Sequence, residues 1–322
     1  MQKALRYLGA AAMLVAPSTT ALAQEFPLSI EHKFGTSIIE EKPERVASID
    51  YAGADDLLAL GIQPVTIRYW YGDYDSVVWP WAAPSLTTEP TILRGELDFE
   101  AIAAAQPDVI IGLWSGISAE DYERLSLIAP VVAVPEGVGD YALPWDERAM
   151  IAARAAGVEE LVEEKVQKIR DQLADVKANH PEWQGKNVAV ATAWDGTPGV
   201  YASNDIRPLL LANMGLGTPQ KIDDAVGDAF WAELSPEDLT PLDTDVLIWL
   251  SSTGEFGPIE ELAARPFLNV VKDGREVFLG KEVTGAFSHA SLLSLPYTID
   301  RLEAAIEMAL DGDPTTHEDD RP

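Results

Sequence analysis

Hydrophobic residues along the chain fall into two kinds of run, and the two kinds alternate. Short, nearly continuous apolar stretches lie at Val46–Ile49, Val65–Tyr69, Val109–Leu113 and Val131–Val134, and again at Val188–Ala193, Val246–Leu250 and Val277–Leu279. Runs this short and this apolar predict strands buried on both faces, as in a largely parallel sheet covered by helices. Between the two sets, Val158, Leu161, Val162, Val166, Ile169, Leu173 and Val176 recur at spacings of three and four. That period predicts an amphipathic helix of about 30 Å. A closing helix carries Ile299, Leu302, Ile306 and Leu310 on one face. The pattern predicts an α/β fold with an N-terminal lobe over 24–144, connecting helices over 145–181 and a C-terminal lobe over 182–310.

An internal repeat supports the division. Phe99-Glu100-Ala101-Ile102 leading to Pro107-Asp108-Val109-Ile110-Ile111 returns as Pro236-Glu237-Asp238-Leu239 leading to Thr244-Asp245-Val246-Leu247-Ile248. In each copy an acid opens a short helix, a turn follows, and an Asp precedes a buried strand.

The ends differ from the body. Residues 1–23 combine Lys3 and Arg6, an apolar run from Leu8 to Ala16, and Ala21-Leu22-Ala23 before Gln24. This reads as a secretory signal cleaved after Ala23. The apolar run is well short of the roughly 20 residues of a membrane span. Residues 311–322 are polar and acidic, the composition of a disordered tail. The chain has no cysteine, which excludes disulfides, thiolate metal sites, cysteine nucleophiles and a lipid-bearing cysteine after the signal. The expected location is therefore the periplasm, without an anchor. The formal charge is −30, and loss of Lys3 and Arg6 makes it two units more negative. Such a surface repels nucleic acid and anionic lipid.

In open α/β sheets ligands bind beyond the carboxyl ends of the strands, so the residues that follow each strand are the candidates. Here they are aromatic: Tyr51, then Trp70 and Tyr71, then Trp114, and in the second half Trp194 and Tyr201, with Trp231 and Phe287 expected in loops. Trp79 and Trp81 extend the aromatic group after the second strand. Flat aromatic faces supply contact area at low entropic cost to a large, partly apolar ligand. Arg68 and Arg207 are the candidate cations for ligand oxygens. Trp249, inside an apolar strand, reads as a core residue.

Two other chemistries fit less well. A bare-metal site wants several converging His and carboxylates, whereas His32, His180, His289 and His317 are scattered. A serine hydrolase could use Ser115, Ser251 or Ser252. However, Gly112-Leu113-Trp114-Ser115-Gly116 lacks the Gly-x-Ser-x-Gly spacing of a nucleophile elbow, and no Gly-rich phosphate loop is present.

The ordered set Gly35-Thr36, Pro43-x-Arg45-Val46, Leu57 to Val65, Phe99 to Ile102 and Pro107-Asp108 resembles the class III periplasmic binding proteins over essentially the whole mature chain. The stretch Arg68 to Tyr74 through Trp79-Pro80-Trp81, with Ser115-Gly116, Tyr122, Leu125-Ser126 and Ile128-Ala129-Pro130, most resembles their ferric hydroxamate-binding branch. The resemblance implies two Rossmann-like lobes joined by one long, rigid helix. The implied activity is capture of a ferric siderophore and delivery to an ABC permease with its ATPase, with no catalysis. It also implies a monomer without a resident cofactor, the iron arriving already chelated. Another iron chelate, haem, cobalamin or a bare metal ion are the alternatives within the family. Finally, it implies that Glu100 and Glu237, one per lobe, face the permease.

Overall fold

Beside each predicted strand a Gly, Pro or Asp lies within two residues of at least one end and helps to keep the run short. A computed structural model gives the resulting fold and describes residues 24–74 and 77–315. The proposed signal (1–23) and residues 316–322 of the proposed tail lie outside the described residues. Chain entry is a hairpin of β1 (Leu28–His32) and β2 (Gly35–Ile39), whose alternating buried and exposed residues mark a one-sided ribbon. The first lobe is built on β3 (Val46–Ser48), β4 (Thr66–Tyr69), β5 (Thr91–Arg94), β6 (Val109–Gly112) and β7 (Val131–Ala133). They form an all-parallel sheet in the order β5-β4-β3-β6-β7. The second lobe holds β8 (Val188–Trp194), β9 (Thr197–Tyr201), β10 (Trp231–Glu233), β11 (Val246–Leu250) and β12 (Glu276–Leu279), in the order β10-β9-β8-β11-β12.

This second sheet is parallel only across β8, β11 and β12. Strands β9 and β10 are antiparallel additions. Asp195 (φ 51°) and Gly196 (φ 78°) make a two-residue turn with both residues left-handed, which can only reverse the chain into a hairpin.

The repeated motif has a structural basis. In the first copy Asp108 Oδ2 accepts the backbone N–H groups of Glu44 (2.8 Å) and Arg45 (2.9 Å), at the entrance to β3. In the second copy Asp245 Oδ2 accepts the N–H of Asn187 (2.7 Å), at the entrance to β8. Each Asp thus clamps the central strand of its sheet beside the strand it precedes. The copies diverge just upstream. Glu100 lies in the first turn of the helix Phe99–Ala104, capped by Asp98, whereas Glu237 lies in a turn followed by a single 3-10 turn at Thr240–Leu242. The expected second helix is absent because Pro236 and Pro241 bracket only four residues, too few to complete a hydrogen-bonded helix around missing N–H donors.

The connector is in two pieces, helices Trp145–Ala155 and Val162–Asn179, separated by Gly157 (φ 71°) and a 3-10 turn at Glu159–Leu161. Val162, Val166, Ile169, Leu173 and Val176 are buried as their spacing predicts. Leu161 is 45% exposed, because the regular helix begins one residue after it and leaves it out of phase. The connector and the closing helix Ser294–Ala309 join apolar side chains of both sheets into one continuous core. Two smaller cores cover the outer faces of the sheets. Spreading the lobes would break a shared apolar core, so the frame resists large hinge motion.

Candidate ligand cleft

The chain leaves β3 to one side to form β4 and β5, and returns on the other side as β6 and β7. The crevice at the carboxyl ends of these strands is the switch point of the sheet. A cavity of about 690 Å³ opens there, bounded by Tyr51, Arg68 to Trp70, Arg94 to Leu97, Phe99, Ser115 to Ile117, Asp121, Arg124 and Tyr141. Asp50 knits its floor together, since Oδ1 accepts the N–H of Trp114 (2.7 Å) while the Tyr51 N–H donates to the Trp114 carbonyl (3.2 Å). Arg68 is buried in this floor. Its Nη1 donates to the Ser115 carbonyl (3.1 Å), its Nη2 donates to the Tyr51 hydroxyl (2.8 Å), and its Nε has no partner among the described residues. Gly116 (φ 64°) allows the closure, because a Cβ there would collide with the Tyr141 hydroxyl.

Aromatic rings line the mouth from both lobes. Trp70 is 37% exposed and meets Trp114 edge-on (5.4 Å) and Tyr51 at a tilt (6.0 Å). Tyr141 lies 5.7 Å from Trp114 and 6.2 Å from Phe230 of the second lobe. Phe230 is 44% exposed, and Trp194, at the carboxyl end of β8, is 70% exposed. Exposed rings of this size on a soluble surface, converging on a crevice, provide an apolar recognition surface.

Beneath the mouth the lobes are locked. Asp55 Oδ2 accepts Trp81 Nε1–H (2.7 Å) and the Ser291 hydroxyl (2.7 Å), and Asp56 Oδ1 accepts the Leu292 N–H (2.9 Å). Arg148, on the connector and 1% exposed, donates Nε–H to Asp56 (3.0 Å) and Nη2–H to the carbonyls of His289 (2.9 Å) and Ala290 (2.8 Å). Three carboxylates, Asp50, Asp55 and Asp56, thus lie around one buried guanidinium, and Asp56 pairs with it directly. Burial pushes the Asp50 and Asp55 carboxyls up to about 7, above their usual range. His289 is enclosed by Trp70, Tyr71, Trp79 and Trp81, and burial drives it down to about 3, so it is neutral. Its Nδ1 is 2.7 Å from the Gly285 carbonyl and must therefore carry the proton.

The predicted site residues separate on this geometry. Tyr51, Arg68 and Trp70 line the cavity, and Trp114 supports it from below. Trp194 is exposed at the carboxyl end of β8, outside the cavity lining. Tyr71 is enclosed and hydrogen-bonded to Ser288, against the second lobe. Six others lie outside the cavity lining. Trp79 is 3% exposed, stacks on Trp81 (4.9 Å) and presses on Gly285, so it belongs to the junction between lobes. Trp81 is held there by Asp55. Phe287 is fully buried in the helix Lys281–His289, whose apolar face turns it into the core. Trp231 belongs to β10 and lies flat against Gly199. Arg207 is engaged by Asp205 (2.8 and 2.9 Å) and Ser288 (3.3 Å) over the Tyr201 ring, so Tyr201 and Arg207 brace each other.

Sequence reasoning missed Arg94, Arg124, Tyr141 and Phe230. Arg94 ends β5, a strand too short and too mixed in polarity to stand out as a buried apolar run. Arg124 follows a capping box at Ser118 and Asp121 and has the appearance of an ordinary surface helix residue. Among the described residues no group of three or more His, Asp or Glu is placed to hold a metal ion.

A family model described as periplasmic binding protein matches residues 46–278. The probable siderophore-binding lipoprotein YfiY of Bacillus subtilis is 27% identical over 69% of this chain and 68% of its own length. A periplasmic solute binding protein of Mycobacterium smegmatis is 31% identical, with a TM-score of 0.77 over 88% of this chain and 98% of that one. Streptococcus pneumoniae PiaA, solved in complex with ferrichrome, is 28% identical, with a TM-score of 0.76 over 88% of this chain and 99% of that one.

Proposed function

The chain belongs to the periplasmic binding protein family, and from that premise we propose that it captures a ferric siderophore, of hydroxamate type, and delivers it to an ABC importer. The observation that carries the reading is the aromatic cleft at the switch point of the first sheet, met from the second lobe by Phe230 against Tyr141. It is wide enough for a chelate and offers rings rather than converging metal ligands. YfiY is named for siderophore binding and PiaA was solved with ferrichrome, which supports the same ligand class. Iron arrives already chelated and needs no resident cofactor. The protein acts as a periplasmic monomer, exported by cleavage after Ala23. Family members are substrate-binding proteins, and this chain binds without turnover. Glu100 and Glu237 are both exposed and meet the permease, one from each lobe.

The deciding experiment is a titration of the purified protein with a ferric siderophore, followed by tryptophan fluorescence. Stoichiometric quenching with the chelate recovered unchanged supports capture. Consumption of the chelate, or no quenching by any ferric siderophore, refutes it.

A further inference from the structure

In a chain with formal charge −30 and only 23 basic residues, three arginines border one cavity: Arg68, Arg94 and Arg124. Each guanidinium lies over an aromatic ring, Arg68 on Tyr51 (3.9 Å), Arg94 on Tyr69 (4.0 Å) and Arg124 on Phe99 (3.5 Å). A ring under the guanidinium plane fixes its orientation without using the in-plane N–H donors, which remain available as a fork for a carboxylate. Neither Arg94 nor Arg124 has a carboxylate partner among the described residues. Both are exposed. Arg68 contributes a buried charge with its Nε unpartnered. Two acids also border the cavity. Asp121 is occupied, accepting the backbone N–H (2.9 Å) and hydroxyl (2.8 Å) of Ser118, and Glu96 is exposed at the rim. The cavity is therefore net positive in a strongly negative protein. Guanidinium forks covered by a bound ligand gain more from its carboxylates, through charge-assisted bidentate bonds, than from the neutral oxygens of a trihydroxamate.

We propose that this cavity selects ferric siderophores that carry carboxylates, such as citrate-centred dihydroxamates with a net negative charge, over neutral or cationic trihydroxamates. Arg94 and Arg124 are the residues that make the selection, and Arg68 anchors the iron-proximal oxygens. The inference rests on the reading that the cleft captures ferric siderophores.

The test is fluorescence titration with three ferric probes: a citrate-centred dihydroxamate (anionic), ferrichrome (neutral) and ferrioxamine B (cationic). The wild type is compared with the double variant Arg94→Gln/Arg124→Gln, whose exposed positions leave the core intact, as thermal unfolding will verify. The expected result is at least tenfold tighter binding of the anionic probe by the wild type. In the double variant that probe should lose thirtyfold or more, while ferrichrome changes less than threefold. Added salt should weaken the anionic probe markedly in the wild type and little in the variant. Equal or tighter binding of ferrichrome by the wild type, or an equal loss for all probes in the variant, overturns the selection while leaving siderophore capture standing. Failure of every ferric probe to bind overturns both.

Discussion

Replacing Arg148 by Met removes a buried cation of the lobe junction while keeping most of its volume. Arg148 is 1% exposed, and its guanidinium bonds Asp56 of the first lobe and two carbonyls, His289 and Ala290, of the second. The variant leaves Asp56 as a buried carboxylate without its ion-pair partner, with Asp50 and Asp55 close by. Breaking a buried pair from one side costs about 3–5 kcal/mol. The two carbonyls, left short of a donor, add about 1–3 kcal/mol each unless water reaches them. The sum is a large part of the roughly 5–15 kcal/mol that holds a typical domain folded. Urea unfolding should therefore show a loss of at least about 3 kcal/mol. Adding Asp56→Asn removes the orphaned charge and should recover part of the loss, so the double-mutant cycle gives a coupling well above the about 0.5 kcal/mol of independent sites. A loss below about 1 kcal/mol for Arg148→Met, or no recovery in the double variant, would refute the view that this guanidinium holds the junction.

Three further outcomes follow from the same geometry. Asp55 is raised to about 7 by burial, so the folded state keeps a proton that the unfolded chain has released above pH ~4, and this group's contribution to stability falls as pH rises to about 7 at about 1.4 kcal/mol per unit. His289, driven down to about 3, acts with the opposite sign below pH ~6.5. The informative quantity is thus the difference between Asp55→Asn and wild type, which should favour the variant increasingly from pH 5 to 7 and then level off; parallel pH curves would contradict this. Gly285→Ala places a Cβ 2.5 Å from Trp79 Cζ3, and denaturation should show about 1–3 kcal/mol of overpacking, whereas unchanged stability would show the junction to be loose. Reversing Glu100 and Glu237 together to Lys should abolish uptake of iron-loaded siderophore while leaving binding by the purified protein within about twofold, since both lie on exposed surface; normal uptake would leave the docking surface elsewhere.

Local pattern alone carried much of the architecture. The alternation of buried strands with helices, the long connecting helix and the equivalence of Asp108 and Asp245 are properties of residues within a few positions of one another, and their periodicity is written into the chain. The aromatic residues that end strands were likewise visible, and Tyr51, Trp70 and Trp114 do form or support the cavity. What periodicity does not encode is which surface a given face will meet. Trp79 and Trp81 have the same local appearance as Trp70, yet helix Lys281–His289 packs against them from the other lobe, and Phe287 of that helix turns into the core. Arg94 and Arg124 look like ordinary surface residues until β5 takes the edge position and Arg124, on the helix Ala119–Ser126, reaches over Phe99, bringing both to one cavity. The buried cluster of Asp50, Asp55, Asp56 and Arg148 shows the same dependence. It joins segments some 90 residues and more apart, and only tertiary packing removes the water that would otherwise solvate each charge separately.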